Sequence, residues 1–118
     1  MEYKIIRPYI GGILSDNSAR FKTKKIRPPV AFWMRELANI VEDLNIPEAP
    51  FYKISLKCNL VDNRGPDPSN LHKVIGDSLK RALPKDDKYY RYQDLGVTFG
   101  NFDPTLEITI EPLEKDLC

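Results

Sequence analysis

Histidine is almost missing from this 118-residue chain, with His72 the only one. That excludes a histidine-rich metal centre and argues against a Ser-His-Asp hydrolase. Cysteine is nearly as scarce: Cys58 lies in an apolar-patterned segment and Cys118 is the last residue. Two thiols cannot make a disulfide framework, so a reducing cytoplasm is the expected setting. No apolar run approaches the roughly 18 residues of a membrane span, and Met1-Glu2-Tyr3-Lys4 has no signal-peptide pattern, so no membrane is expected as a partner. Nor is there an excess of charge of one sign: 18 basic residues stand against 17 acidic ones, a net +1 that excludes charge-driven disorder. The chain contains no internal repeat and no low-complexity tract.

What is present suits one domain. A length of 118 residues with 42% apolar side chains can bury a real core. The neutral total hides an asymmetry. Residues 1–29 carry seven basic side chains against two acidic ones, and the remainder carries 11 basic against 15 acidic. A polyanion-facing arm with an acidic, cation-attracting centre has this distribution; so does a solvated loop on an ordinary domain. Between Gly11-Gly12 and Pro28-Pro29 the reading is a long, flexible, basic loop. Within it, residues 20–27 hold five basic residues in eight (Arg20, Lys22, Lys24, Lys25 and Arg27), with Phe21 and Ile26 as apolar anchors.

Hydrophobic periodicity sets the elements. Tyr3 to Ile6 reads as a short edge strand. Val30, Trp33, Met34, Leu37, Ala38, Val41 and Leu44 recur at helical spacing, so residues 30–44 form a helix, begun by Pro29 and stopped before Pro47. The Trp33–Met34 stripe is core packing. Tyr52 to Leu60 alternates as a half-buried strand. Ser69 to Leu83 reads as a second helix, with Leu71, Val74, Ile75, Leu79 and Ala82 as its apolar stripe. A strand follows near Tyr89 to Tyr92 that extends toward Leu95, and Val97 and Phe99 have no assigned state. Leu106, Ile108 and Ile110 make the last strand. The order strand–helix–strand–helix–strand–strand gives a small α+β domain whose mixed sheet packs against two main helices.

The second helix carries the chemistry. With Asp67 as reference, a helical wheel puts Asn70, Lys73 and Asp77 within about 60° of one another, away from the apolar stripe. Taken alone this is a capping aspartate and an i,i+4 surface pair. Asp86-Asp87 lies one loop further on. If the strand it opens runs beside the helix start, one of the two aspartates joins Asp67 and Asp77 around Lys73. Clustered carboxylates need a cation, and hard oxygen donors suit Mg²⁺ or Mn²⁺. His72 falls off the polar line and reads as a surface or packing residue. Tyr89, Tyr90 and Tyr92 read as strand packing.

Asp67-Pro68-Ser69-Asn70-Leu71-x-Lys73-x₃-Asp77-x-Leu79 followed by Asp86-Asp87 resembles the RusA family of Holliday junction resolvases. Its pattern runs Asp-x-Asp-Asn-x₂-Lys-x₃-Asp-x-Leu, then a paired Asp-Asp opening a strand. The order of the surrounding elements follows the family too. The resemblance implies a Mg²⁺-dependent endodeoxyribonuclease of DNA recombination and repair. Such a protein is a cytoplasmic, nucleoid-associated homodimer that nicks four-way junction DNA symmetrically and uses no small-molecule cofactor. By position it implies catalytic roles for Asp67, Asn70, Lys73 and Asp87, and a metal site drawn from Asp67, Asp87, Asp77 and Asp86. Arg20, Lys22, Lys24, Lys25 and Arg27 would contact DNA phosphates. Ser69 departs from the pattern, standing where the family has its second aspartate; a non-cleaving, branched-DNA-binding protein of the same fold is the alternative.

Overall fold

A computed structural model describes residues 1–15, 25–63, 65 and 67–117. The alternation at its centre becomes β2 (Phe51–Asn59), whose Tyr52, Ile54, Leu56 and Cys58 point to one face and are buried. The last strand, β4 (Thr105–Leu113), runs antiparallel to it, pairing Ile54 with Ile110 and Leu56 with Ile108. On the far side of β4 lies β1 (Tyr3–Pro8), antiparallel, with Ile5 opposite Ile108. On the far side of β2 lies β3 (Tyr90–Thr98), parallel to it. The sheet order is therefore β1-β4-β2-β3, which makes it mixed, with β1 and β3 at the edges.

Two helices supply the rest of the core. The first, α1 (Pro28–Asp43), opens with Pro28 and Pro29, where a missing N–H costs nothing, and buries Val30, Trp33, Met34, Leu37, Ala38 and Val41. Its stop comes before Pro47: Asn45 takes a left-handed backbone (φ 52°), which asparagine tolerates well. Trp33 Nε1 donates to the Pro8 carbonyl at 2.8 Å, and Arg7 reaches Glu36 at 2.8 Å, so α1 is tied to β1 by both. The second helix is shorter than the sequence suggests. Residues 68–71 form a 3₁₀ turn, α2 spans His72–Leu79, and the chain then turns through residues 80–84. Leu71, Val74, Ile75 and Leu79 remain the buried stripe, because three- and four-residue steps serve both helix types.

Two other expectations shift. Asp86 and Asp87 do not open a strand: Asp86 precedes, and Asp87 begins, a 3₁₀ turn over Asp87–Tyr89, and β3 starts only at Tyr90. The β3 strand also runs past Leu95 to Thr98. An extra residue is accommodated between the Leu56–Asp94 and Lys57–Gly96 pairs, and Gly96 there has φ +120°, a backbone that other residues rarely adopt. The basic loop is anchored at its described ends, by fully buried Leu14 and by Ile26 against the core. Among the described residues no helix is long and apolar enough to cross a membrane.

Candidate functional site

The polar line and the acidic turn meet at Gly76. Residue 76 lies inside α2 between Lys73 and Asp77, and a methyl group there would collide with the Tyr92 hydroxyl and lie 3.9 Å from Asp87 Cβ. Bare backbone at this point lets β3 and the turn before it close onto the helix. Asp87 is thereby set against the same stretch of α2 that carries Lys73 and Asp77. Lys73 Nζ stands 3.7 Å from Asp77 Oδ2, an i,i+4 pair in which the lysine side chain is 62% exposed. That contact is loose enough to leave the ammonium accessible to a ligand.

The other members follow from the 3₁₀ turn. Asp67 holds the position before it, and its carbonyl accepts the Asn70 N–H at 2.9 Å, but its carboxylate makes no capping hydrogen bond. Asp67 is thus a cap by position only, with an exposed carboxylate. Because residues 68–71 wind more tightly than an α-helix, the wheel that aligns Asn70 with Lys73 and Asp77 does not carry through; the alignment holds within α2 alone. Asn70 is half-buried and Ser69 exposed. Asp86 is exposed; its carbonyl accepts the Tyr89 N–H at 3.0 Å, and its side chain, like that of Asp67, makes no capping bond.

A different cluster braces the site from beneath. His72 stacks on Tyr92 with ring centroids 4.3 Å apart and planes 10° from parallel, and its Nε2 pairs with Asp94 Oδ1 at 2.7 Å. The Tyr92 hydroxyl reaches back to the His72 carbonyl at 3.4 Å. His72 is a packing residue, as its place off the polar line suggested, and it fastens β3 to the start of α2. Tyr90 is buried, edge-on to Tyr52 at 6.2 Å, and burial raises its phenol, with Tyr92 and then Asp87 adding to the effect. Tyr92 and Asp94 lie some twenty residues from His72 and carry no local signal. Gly76 does carry one, since a glycine inside a helix of good formers marks a close approach.

Among the described residues no three side chains of Asp, Glu, His and Cys group closely enough to share a metal ion. The donors nevertheless fit Mg²⁺ in kind, being exposed carboxylates. Mg²⁺ retains most of its waters and is commonly held through one or two carboxylates plus a substrate phosphate. Asp67 and Asp87 are the pair that the resemblance assigns to it. Of the basic-arm residues, Lys25 is exposed and Arg27 is half-buried at the N-cap of α1; Arg20, Lys22 and Lys24 fall outside the described residues. In comparison with known proteins, no family model matches the chain and no curated protein matches it.

Proposed function

We propose that this chain is a Mg²⁺-dependent, structure-specific endodeoxyribonuclease that resolves four-way DNA junctions as a homodimer, in the manner of the RusA family. The observation that carries the reading is the seating of Asp87 against Gly76, flanked in sequence by Lys73 and Asp77. From the sequence, one aspartate of the later pair is expected beside the helix only if the strand that follows it runs alongside. A divalent ion bound by Asp67 and Asp87 would supply Lewis acidity to a phosphate oxygen and make water more acidic. The chain's own residues do the rest. Lys73 offsets the negative charge that grows as water oxygen adds to phosphorus and one P–O ester bond breaks. Asn70 offers an amide to orient the phosphate or the attacking water. Lys25 and Arg27, with the basic residues before them, attract the backbone without reading sequence. The place of action is the nucleoid in the cytoplasm, where such junctions arise.

Ser69 and the absence of a three-carboxylate group among the described residues favour a second reading, a protein that binds branched DNA without cutting it. One experiment separates the two. The unmodified chain should nick a synthetic four-way junction in Mg²⁺ or Mn²⁺ and lose the activity in EDTA. Asp67→Asn and Asp87→Asn should each reduce nicking by at least about a hundredfold while junction affinity stays level or rises. Full activity in either variant removes that residue from the mechanism. Tight junction binding with no cutting in any metal selects the second reading.

A further inference from the structure

A pocket of about 380 Å³ lies between the end of α2 and the turn that leads into β3. Three lysines line it, Lys80, Lys85 and Lys88, together with Leu83, Pro84, Tyr89 and one acid, Asp86. Lys85 and Lys88 both stand over the Tyr89 ring, with Nζ 5.5 and 5.1 Å from its centroid. The ring itself is held by Phe51, edge-on at 5.9 Å. The partner of Lys85 is Glu48, 3.9 Å away with a side chain 70% exposed, a pair worth little in water. No carboxylate among the described residues stands within ion-pair distance of Lys80 or Lys88.

Three like charges around one concavity repel each other unless an anion enters, and each ammonium can donate several charge-assisted hydrogen bonds to it. Asp86 cancels only part of that charge. The neighbour of the pocket narrows the choice of anion. Asp86 lines it and Asp87 follows directly in the sequence, so the pocket borders the turn that carries a candidate metal-binding carboxylate. A nucleic acid strand is the polyanion that puts one phosphate in the pocket and the next ones over the carboxylates; an acidic peptide or a single free phosphate has no use for that adjacency.

We propose that this pocket binds the phosphodiester backbone of the substrate strand beside the scissile phosphate, through Lys80, Lys85 and Lys88, with Tyr89 as a positioning residue beneath two of them. The proposal rests on the nuclease reading for the identity of the strand. The test compares Lys80→Ala/Lys88→Ala with a charge-matched control, Arg35→Ala/Lys115→Ala, after circular dichroism confirms that both fold. Fluorescence anisotropy follows a labelled four-way junction and a labelled single-stranded oligothymidylate, in Ca²⁺, between about 50 and 200 mM salt. The pocket variant should bind the junction about tenfold or more weakly, and the slope of log K against log salt should flatten by about 1.4 to 1.8 for two lost contacts. The control should change by less than about twofold. An unchanged slope, or equal losses in both doubles, overturns the proposal and leaves the nuclease reading standing. Binding through the pocket by a chain that never nicks upholds the proposal and defeats the nuclease. Failure of the unmodified chain to bind either probe overturns both.

Discussion

Glu107 is held between two donors on the face of the sheet opposite the helices. Lys4 Nζ lies 2.7 Å from one carboxylate oxygen and Asn59 Nδ2 donates to the other at 2.7 Å. These bonds, that from Lys4 first, keep its carboxyl below the usual glutamate range against the opposing effect of partial burial. A carboxylate lowered in the folded state adds stability above its unfolded value and loses it as pH falls toward the folded one. Urea midpoints should therefore drop as pH decreases below about 4.3, and the drop should be shallower in Glu107→Gln. Parallel curves for the two proteins would show that the bonds persist equally in the unfolded chain. Salt should weaken the Lys4 part, because that side chain is 59% exposed, and leave the Asn59 bond in place. Cys58 is the contrasting case at this scale. Burial pushes its thiol up to about 11, so it stays protonated and inert at neutral pH, as the apolar pattern around it implies.

Gly76 decides how closely α2 and β3 approach, which makes it an element-scale determinant. Alanine there would gain about 1 kcal/mol of helix propensity, but the methyl would press on the Tyr92 hydroxyl and cost about 1–3 kcal/mol of overpacking. Gly76→Ala should destabilise the protein and weaken the site, whereas in a Tyr92→Phe background the same change should be neutral or stabilising. Denaturation of the four proteins gives the coupling, and a coupling near zero would show that α2 slides instead. The elements differ in how far the sequence reveals them. The first helix was legible because its stripe repeats over four turns and prolines mark both ends. The four strands and their α+β assembly were legible where alternation is unbroken, as at Tyr52–Cys58 and Leu106–Ile110. At Leu95 an added residue reverses the phase of β3, which is why Val97 fitted no pattern although it continues the strand. The second helix looked continuous because its apolar spacing does not distinguish a 3₁₀ turn from an α-helix. Of the candidate site, the motif spacing is what the sequence makes legible, Lys73 to Asp77 and the later acidic pair. The closeness that unites them depends on Gly76 and Tyr92, whose contact no local pattern encodes.

At the scale of the whole molecule, β4 is the interior strand that joins β1 to β2. Among the described residues the first strand has no other partner in the sheet, and Leu106, Ile108 and Ile110 are fully buried between the neighbours on either side. A chain ending at residue 103 would leave the faces of β1 and β2 without their shared strand and β1 without a ladder. It should show no cooperative thermal transition by circular dichroism and should bind a hydrophobic dye, unlike the full chain. A sharp transition in the truncated protein would mean that β1 can pair directly with β2. The position of β4 also sets a timetable during synthesis. A ribosome adding about 5–20 residues per second takes on the order of 3–11 s to proceed from the end of β2 to the end of β4. Throughout that interval Tyr52, Ile54 and Leu56 lack their partners on one side. The parallel unit of β2, α2 and β3, with Gly76 at its contact, can assemble while it waits. Asp87 would then be seated against Gly76 before the sheet closes, and translation of β4 would be the step that completes the sheet around that contact.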